Sequence, residues 1–264
     1  MPAPVRVCVV GALGRMGERV RAEVAAEPGL VVGAALESPG HPRLGERLDG
    51  GVVLGGDPKA ACASSDVVID FSVPVSTLAL LPAAVAAGVA CVIGTTGFSD
   101  AEREAITRAA KRIGVVLAPN FSVAVNVLTH LVREAALRLG PSFDAEIVEL
   151  HHAAKRDAPS GTALRLAAAV AEGRGAASGG ERVQGRAGDT GPRQPGTIGI
   201  QALRGGDNPG EHTVLFIGAG ERLELTHRAM TRHHFVTGAV RAARWIHGRA
   251  PGLYAMEDVL GLRP

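Results

Sequence analysis

The chain has 264 residues and a formal net charge of +2, with 28 basic and 26 acidic side chains spread along it; this excludes a strongly basic nucleic-acid binder or a protein held to membranes by a polybasic surface. Aromatic residues make up only 3% and there are 35 glycines, so the core must be aliphatic and the turns tight, as in an α/β protein rather than an all-β sandwich. The length is enough for one large or two smaller domains without staples, and Cys8, Cys62 and Cys91 lie far apart, with no metal or redox spacing.

Val5–Val10 is a short apolar run that reads as a strand buried on both faces. Gly11-Ala12-Leu13-Gly14-Arg15-Met16-Gly17 follows, then helical composition over 18–26. Strand, glycine turn and helix together suit a dinucleotide pyrophosphate, because glycines let the backbone come close and the helix N-terminus offers unpaired N–H groups. A second apolar run, Leu30–Leu36, ends at Glu37. That is about twenty residues after the glycines, where a Rossmann unit needs a carboxylate for the ribose hydroxyls. Ser38 stands where an arginine would favour the 2'-phosphate of NADP.

Residues 41–59 read as a loop with room for one short helical turn. A third strand is expected over 66–71, a helix over 75–87 ended by Gly88, and a fourth strand over 91–93 that runs into Gly94-Thr95-Thr96-Gly97-Phe98. Ser99 and Asp100 start another helix, and a fifth strand over 115–117 ends at Ala118-Pro119-Asn120-Phe121-Ser122. Both polar segments follow carboxyl ends of parallel strands, where open α/β sheets bind ligands.

Val123–Leu139 has apolar positions at helical spacing. Beyond it the alternation of strand and helix gives way to strand candidates at 146–150, 197–203, 212–217 and 222–226, with one helix after Gly161, as in an α+β domain with a mixed or antiparallel sheet. Residues 173–196 lack an apolar period and read as a flexible excursion. A helical pattern resumes over 233–249. The expected organisation is a discontinuous Rossmann-type parallel-sheet domain, 1–122 and 233–264, with 123–232 as a substrate-binding and oligomerisation domain.

The densest chemistry lies at Glu149-Leu150-His151-His152, Lys155 and Asp157-Ala158-Pro159-Ser160-Gly161-Thr162-Ala163. Adjacent histidines after a strand diverge. Lys155 and the N–H groups of Gly161 and Thr162 at a helix start suit a ligand with one or two carboxylates. Zinc is disfavoured: no cysteine is near, and Lys155 and Arg156 would repel the ion. His233 and His234 read as solvated or capping groups. The chain opens without a signal-peptide pattern, and no run approaches a membrane span, so a cytoplasmic location is expected.

These segments, together with Pro195-Gly196-Thr197-Ile198-Gly199 and Gly210-Glu211-His212-Thr213, resemble the bacterial 4-hydroxy-tetrahydrodipicolinate (dihydrodipicolinate) reductases over essentially the whole chain. The resemblance implies reduction of a small cyclic dicarboxylate, 4-hydroxy-tetrahydrodipicolinate, to tetrahydrodipicolinate on the diaminopimelate route to lysine, with NADH or NADPH as donor. It implies that residues 11–16 bind the pyrophosphate and Glu37 the ribose. Gly94, Thr95 and Thr96 with Ala118, Pro119, Asn120 and Phe121 would bind the nicotinamide half. His151 and Lys155 would be catalytic, and His152, Gly161 and Thr162 would hold carboxylates. Which of His151 and Lys155 delivers the proton stays open. Ser38, where the family carries Arg or Lys, weakens the case for NADPH preference. A homotetramer is implied, with no nucleic acid, membrane or metal. A non-catalytic dinucleotide sensor with a dicarboxylate effector is the rival from another class.

Overall fold

The computed structural model describes residues 3–175 and 180–263. In chain order the elements are β1 (Val5–Val10), α1 (Arg15–Ala26), β2 (Leu30–Leu36), β3 (Leu54–Gly55), α2 (Pro58–Ala63), β4 (Val67–Asp70), α3 (Pro74–Ala87), β5 (Ala90–Ile93), α4 (Asp100–Ala110), β6 (Gly114–Leu117) and α5 (Val123–Leu139). Then come β7 (Asp144–His151), α6 (Gly161–Gly173), β8 (Arg182–Gln184), β9 (Ile198–Arg204), β10 (Glu211–Ile217), β11 (Arg222–Arg228), α7 (His233–Ile246), β12 (Gly252–Tyr254) and α8 (Met256–Val259). The chain forms two compact units, Met1–Val123 with His233–Pro264, and Ala124–Arg232.

The first unit is a parallel seven-stranded sheet in the order β12-β6-β5-β4-β1-β2-β3. Its strands are short aliphatic runs with both faces covered; Val7, Cys8, Val67, Val68, Ile69, Cys91 and Val92 are fully buried. Alternate residues feed two cores. Cys8, Val68 and Cys91 pack with Leu80 and Ile106, while Val7, Ile69 and Val92 pack with Val20, Val236 and Val240. The order reverses between β1 and β4, which makes their carboxyl ends the switch point where open α/β sheets bind ligands.

Local chemistry sets the helix ends. Asp57 caps α2 by accepting from the Lys59 N–H at 2.9 Å. Ser99 and Glu102 form a reciprocal capping box on α4. Gly88 ends α3 in the left-handed region at φ 69°.

The second unit is a mixed five-stranded sheet, β11-β10-β7-β9-β8. The pairs β10/β11 and β7/β10 are antiparallel; β7/β9 and β8/β9 are parallel. Its buried face, with Ala145, Ile147, Ile198, Ile200, Val214 and Phe216, packs with Leu128 and Val132 of α5 and Leu166 and Val170 of α6. The two helices touch closely at Gly173, where a Cβ would stand 2.3 Å from the Arg133 carbonyl oxygen.

The elements differ from the sequence expectation at three weakly patterned places. Residues 41–59 contain β3 and the start of α2 as well as turns. The strand β12 extends the parallel sheet with three residues beside β6. Within 173–196, β8 adds an edge strand, and the part of the expected flexible excursion at 176–179 lies outside the described residues. Nor is the described remainder unanchored. Arg186 binds Glu146 through two hydrogen bonds of 3.0 Å, and Arg193 binds both Asp144 and Glu146, at 2.6 and 3.0 Å. Charge pairing across tens of residues leaves no mark in hydrophobic periodicity, so this anchoring is invisible to it.

Candidate active site

In the first unit the glycine turn sits at the carboxyl end of β1. Gly11 has φ 66°, and Gly14 is the N-cap of α1 with no side-chain cap, so the first N–H groups of the helix have no side-chain acceptor from the cap. A Cβ on Gly17 would stand 2.0 Å from the Gly11 carbonyl oxygen, so only glycine lets α1 approach β1 this closely. Ala12 is fully buried, Met16 is half-buried and Arg15 is exposed. Glu37 is half-buried at the end of β2, and its Oε1 accepts from the Leu13 N–H at 2.9 Å, so the acid and the glycine turn are in direct contact.

A cavity of about 570 Å³ lies at this switch point, lined among others by Gly11, Gly14, Glu37, Ser38, Phe71 and Ser72. That volume suits a small-molecule or cofactor site. A second cavity of about 490 Å³ opens at the amino ends of the strands beside Arg6, Asp66, Arg112 and His247. Its position, opposite the switch point, makes it the poorer candidate for a dinucleotide.

The two polar segments are positioned by packing. Asp70, fully buried at the end of β4, accepts from the Ser72 hydroxyl at 2.6 Å, the Ser72 N–H at 2.9 Å and the Thr77 hydroxyl at 2.6 Å. Thr95 joins the same carboxylate at 3.3 Å, which ties the segment after β5 to β4. A Cβ on Gly94 would stand 2.2 Å from Phe71 Cε1, so the ring occupies the space a side chain would need. Thr96 and Pro119 are exposed, and Asn120 is half-buried. Ala118 and Phe121 are buried, with the Phe121 ring edge-on to Phe71 at 5.6 Å. Sequence reasoning did not single out Asp70; a lone acid closing an apolar strand ahead of Ser72 was the available signal.

In the second unit the alternation of β7 decides the geometry. Ala145, Ile147, Glu149 and His151 share its buried face. The hydrophobic core ends after Ile147, and the same face continues as Glu149, fully buried, and His151, 8% exposed. Strand register supplies their partners: Arg204 of β9 lies beside His151, and His212 of β10 lies opposite Glu149.

Glu149 is the hub. It receives Arg204 through bonds of 2.8 and 2.9 Å, the Ser160 N–H at 3.0 Å and His151 Nδ1 at 2.5 Å. Burial pushes this carboxyl up, but the bonds from Arg204, His151 and Ser160 outweigh it and hold it below its ordinary range. For His151 burial dominates and lowers the pKa; Glu149 opposes, while Lys155 and Arg204 add to the lowering. The ring is therefore neutral at neutral pH. His212 stands edge-on to His151 at 5.1 Å, and its Nε2 lies 2.9 Å from the Ser160 hydroxyl. Burial pushes the His212 pKa down to about 3.

Lys155 Nζ donates to both oxygens of Asp157, at 2.9 and 2.8 Å, and that bond holds the Asp157 carboxyl below its ordinary range. His152 diverges from His151: it is half-buried, and its Nε2 is 3.3 Å from Arg232 Nη2. Ser160 caps α6 by accepting from the Ala163 N–H at 3.1 Å, which leaves Gly161 and Thr162 in the first turn. His233 lies near Glu23 in the first unit, at 3.3 Å. Among the described residues no group of three or more His, Cys, Asp or Glu side chains could hold a metal ion, and no helix is long and apolar enough to cross a membrane. Sequence reasoning missed Arg204, His212 and the part played by Glu149. The i, i+2 spacing of Glu149 and His151 on a strand was the only local signal; Arg204 and His212 lie more than fifty and more than sixty residues further along the chain.

Two family models match the chain: "Dihydrodipicolinate reductase, N-terminus" over residues 5–121 and "Dihydrodipicolinate reductase, C-terminus" over residues 124–260. The 4-hydroxy-tetrahydrodipicolinate reductase of Anaeromyxobacter dehalogenans strain 2CP-1 is 50% identical over 267 residues, 98% of each chain. That of Magnetococcus marinus is 50% identical over 266 residues, covering 98% of this chain and 99% of the relative. Among solved structures, the dipicolinate-bound dihydrodipicolinate reductase from Paenisporosarcina sp. TG-14 superposes with a TM-score of 0.79 at 25% identity, over 96% of this chain and 97% of the other.

Proposed function

The chain belongs to the dihydrodipicolinate reductase family, and from that premise we propose that its first unit binds the dinucleotide while the second binds and protonates the substrate. The activity is reduction of 4-hydroxy-tetrahydrodipicolinate to tetrahydrodipicolinate, in diaminopimelate and lysine biosynthesis. The observation that carries the division of labour is the clustering in the second unit of Glu149, His151, Lys155, Arg204 and His212.

The first unit fits a dinucleotide. At Gly17 a side chain is sterically forbidden, Gly11 takes a left-handed turn, and the cavity beside them ends at Glu37. Residues 11–16 would hold the pyrophosphate and Glu37 the ribose. Gly94, Thr95 and Thr96 with Ala118, Pro119, Asn120 and Phe121 would hold the nicotinamide end, with Asp70 fixing Thr95. When bound, NADH or NADPH supplies the hydride.

The substrate is a cyclic dicarboxylate, and one solved relative carries dipicolinate. His152 and the Gly161 and Thr162 N–H groups receive its carboxylates. A Cβ on Gly161 would meet nothing within 4 Å, and Gly161 is not in the left-handed region, so neither packing nor backbone conformation demands glycine there; close approach of a ligand does. Loss of water leaves a conjugated system on which negative charge builds as it is reduced. His151, neutral with Nδ1 committed to Glu149, accepts hydrogen bonds rather than supplying a proton. Lys155, whose ammonium is poised on Asp157, delivers the proton.

A homotetramer is assembled through the other face of the second sheet, where Leu203 and Ile217 are 50% and 39% exposed beside half-buried Leu150 and Leu215. A cytoplasmic location is in keeping with three free cysteines. The double variant His151→Ala, Lys155→Ala tests the roles: it should lose most turnover yet bind NADH as tightly as the parent. Near-normal turnover would remove both residues from the mechanism.

A further inference from the structure

Glu149 does more than the cluster requires for stability. A carboxylate that only capped Ser160 would need one acceptor oxygen, and the adjoining position could be apolar at the end of an aliphatic core. Instead the oxygens divide their work. Oε1 takes the Ser160 N–H at 3.0 Å and Arg204 Nη2 at 2.9 Å; Oε2 takes Arg204 Nη1 at 2.8 Å and faces His151 Nδ1 at 2.5 Å. A two-pronged guanidinium and a backbone N–H keep the acid ionised, and an ionised carboxylate has no hydrogen to give. The hydrogen in the bond to His151 therefore belongs to Nδ1.

The ring has little freedom to answer otherwise. His212 stands edge-on against it at 5.1 Å and is itself tied to Ser160. On the far side of the ring a Cβ on Gly210 would come within 2.8 Å of Nε2, so glycine there leaves that nitrogen uncovered. The charged and titratable groups about the ring are Glu149 on β7, Lys155 beyond its end, Arg204 on β9 and His212 on β10.

We infer that Glu149, locked by Arg204, is a positioning residue that holds His151 as the Nδ1–H tautomer and so presents an unprotonated Nε2 for chemistry. The inference rests on the reading above that His151 acts in turnover. It adds a division of labour: Glu149 and Arg204 touch no reacting atom, yet decide which nitrogen of His151 is an acceptor. The logic is that of an acid orienting a histidine in hydrolase triads, here on a strand at i, i+2.

The test uses the full-length protein with 15N-labelled histidine, the His151 signals being assigned by their loss in His151→Ala. At pH 7 the wild type should show a protonated Nδ1 and an unprotonated Nε2. Glu149→Gln can still accept from Ser160, but its amide can turn N–H toward Nδ1; the tautomer should then invert, and kcat should fall at least about 10²-fold, with the substrate KM changed far less. The carboxylate raises the His151 pKa, so the acid limb of kcat/KM should move to lower pH in this variant, which loss of a purely structural contact would not do. Arg204→Lys, which keeps a cation on the acid but loses the two-pronged contact, should retain the tautomer while kcat falls less than in Glu149→Gln. A wild-type spectrum with the proton on Nε2 alone overturns the inference, even if Glu149→Gln does not fold. So does a folded Glu149→Gln with unchanged tautomer, kcat and pH limb. If Glu149→Gln is unimpaired while His151→Ala is inactive, only the inference falls; if His151→Ala turns over normally, the reading of His151 falls with it.

Discussion

Mild acid should expose the buried histidines of the second unit before it reaches the carboxylates. His212 is buried, and its folded pKa of about 3 lies well below the ordinary 6.5 it recovers on unfolding. The unfolded chain therefore takes up the proton first, so this contribution to stability is fully present above about pH 6.5 and is lost as pH falls toward 3. Each pH unit well inside that window removes about 1.4 kcal/mol, and because the window opens near 6.5, a drop from pH 7 to pH 5 removes about 2 kcal/mol. His151, also lowered by burial, acts in the same direction. Urea unfolding followed by far-ultraviolet circular dichroism, at one protein concentration to hold any assembly equilibrium fixed, should show this loss. In His212→Gln, which keeps a polar atom for Ser160 but does not titrate, the loss between pH 7 and 5 should be smaller by about 2 kcal/mol. Equal losses in parent and variant would refute the assignment of His212 as a buried neutral ring.

Gly17→Ala must push α1 off the end of β1, since its Cβ would sit 2.0 Å from backbone oxygen; a loss of roughly 2 kcal/mol or more, read as a fall in Tm, and weaker NADH binding are expected, and an unchanged Tm would contradict the packing argument. Gly161→Ala should leave Tm alone, because its Cβ meets nothing, but raise the substrate KM by about tenfold or more by crowding a carboxylate at the helix start; an unchanged KM would remove that position from the substrate site. Ser38→Arg places a cation beside Glu37 and should shift the NADPH to NADH ratio of kcat/KM by roughly tenfold toward NADPH. No shift would mean that selectivity is set elsewhere.

The first unit was largely legible in the sequence, because its signals are local. Val5–Val10, the glycines at 11, 14 and 17 and the acid at 37 stand in one continuous strand, turn, helix and strand, and β1, α1 and β2 occupy those positions. What escaped notice was short or distant. The two residues of β3 and three each of β8 and β12 are too few to show a period, and their pairing depends on neighbours. In the second unit the histidine and lysine were visible as types, but the state of His151 was not: it depends on burial, on Glu149 and on Arg204, which strand register brings beside it. The order of His151 and Lys155 in proton delivery stayed open for that reason. The Glu149 carboxylate facing Nδ1 is the observation behind the proposal that Lys155, rather than His151, delivers the proton.

The most direct measurement is steady-state turnover by the purified wild-type chain, following NADH and NADPH oxidation with enzymatically generated 4-hydroxy-tetrahydrodipicolinate. Many turnovers per chain with at least one of the two cofactors, and formation of tetrahydrodipicolinate, are expected. Tight binding of dinucleotide and dicarboxylate without oxidation of either cofactor would contradict that expectation, and would leave a sensor in place of an enzyme.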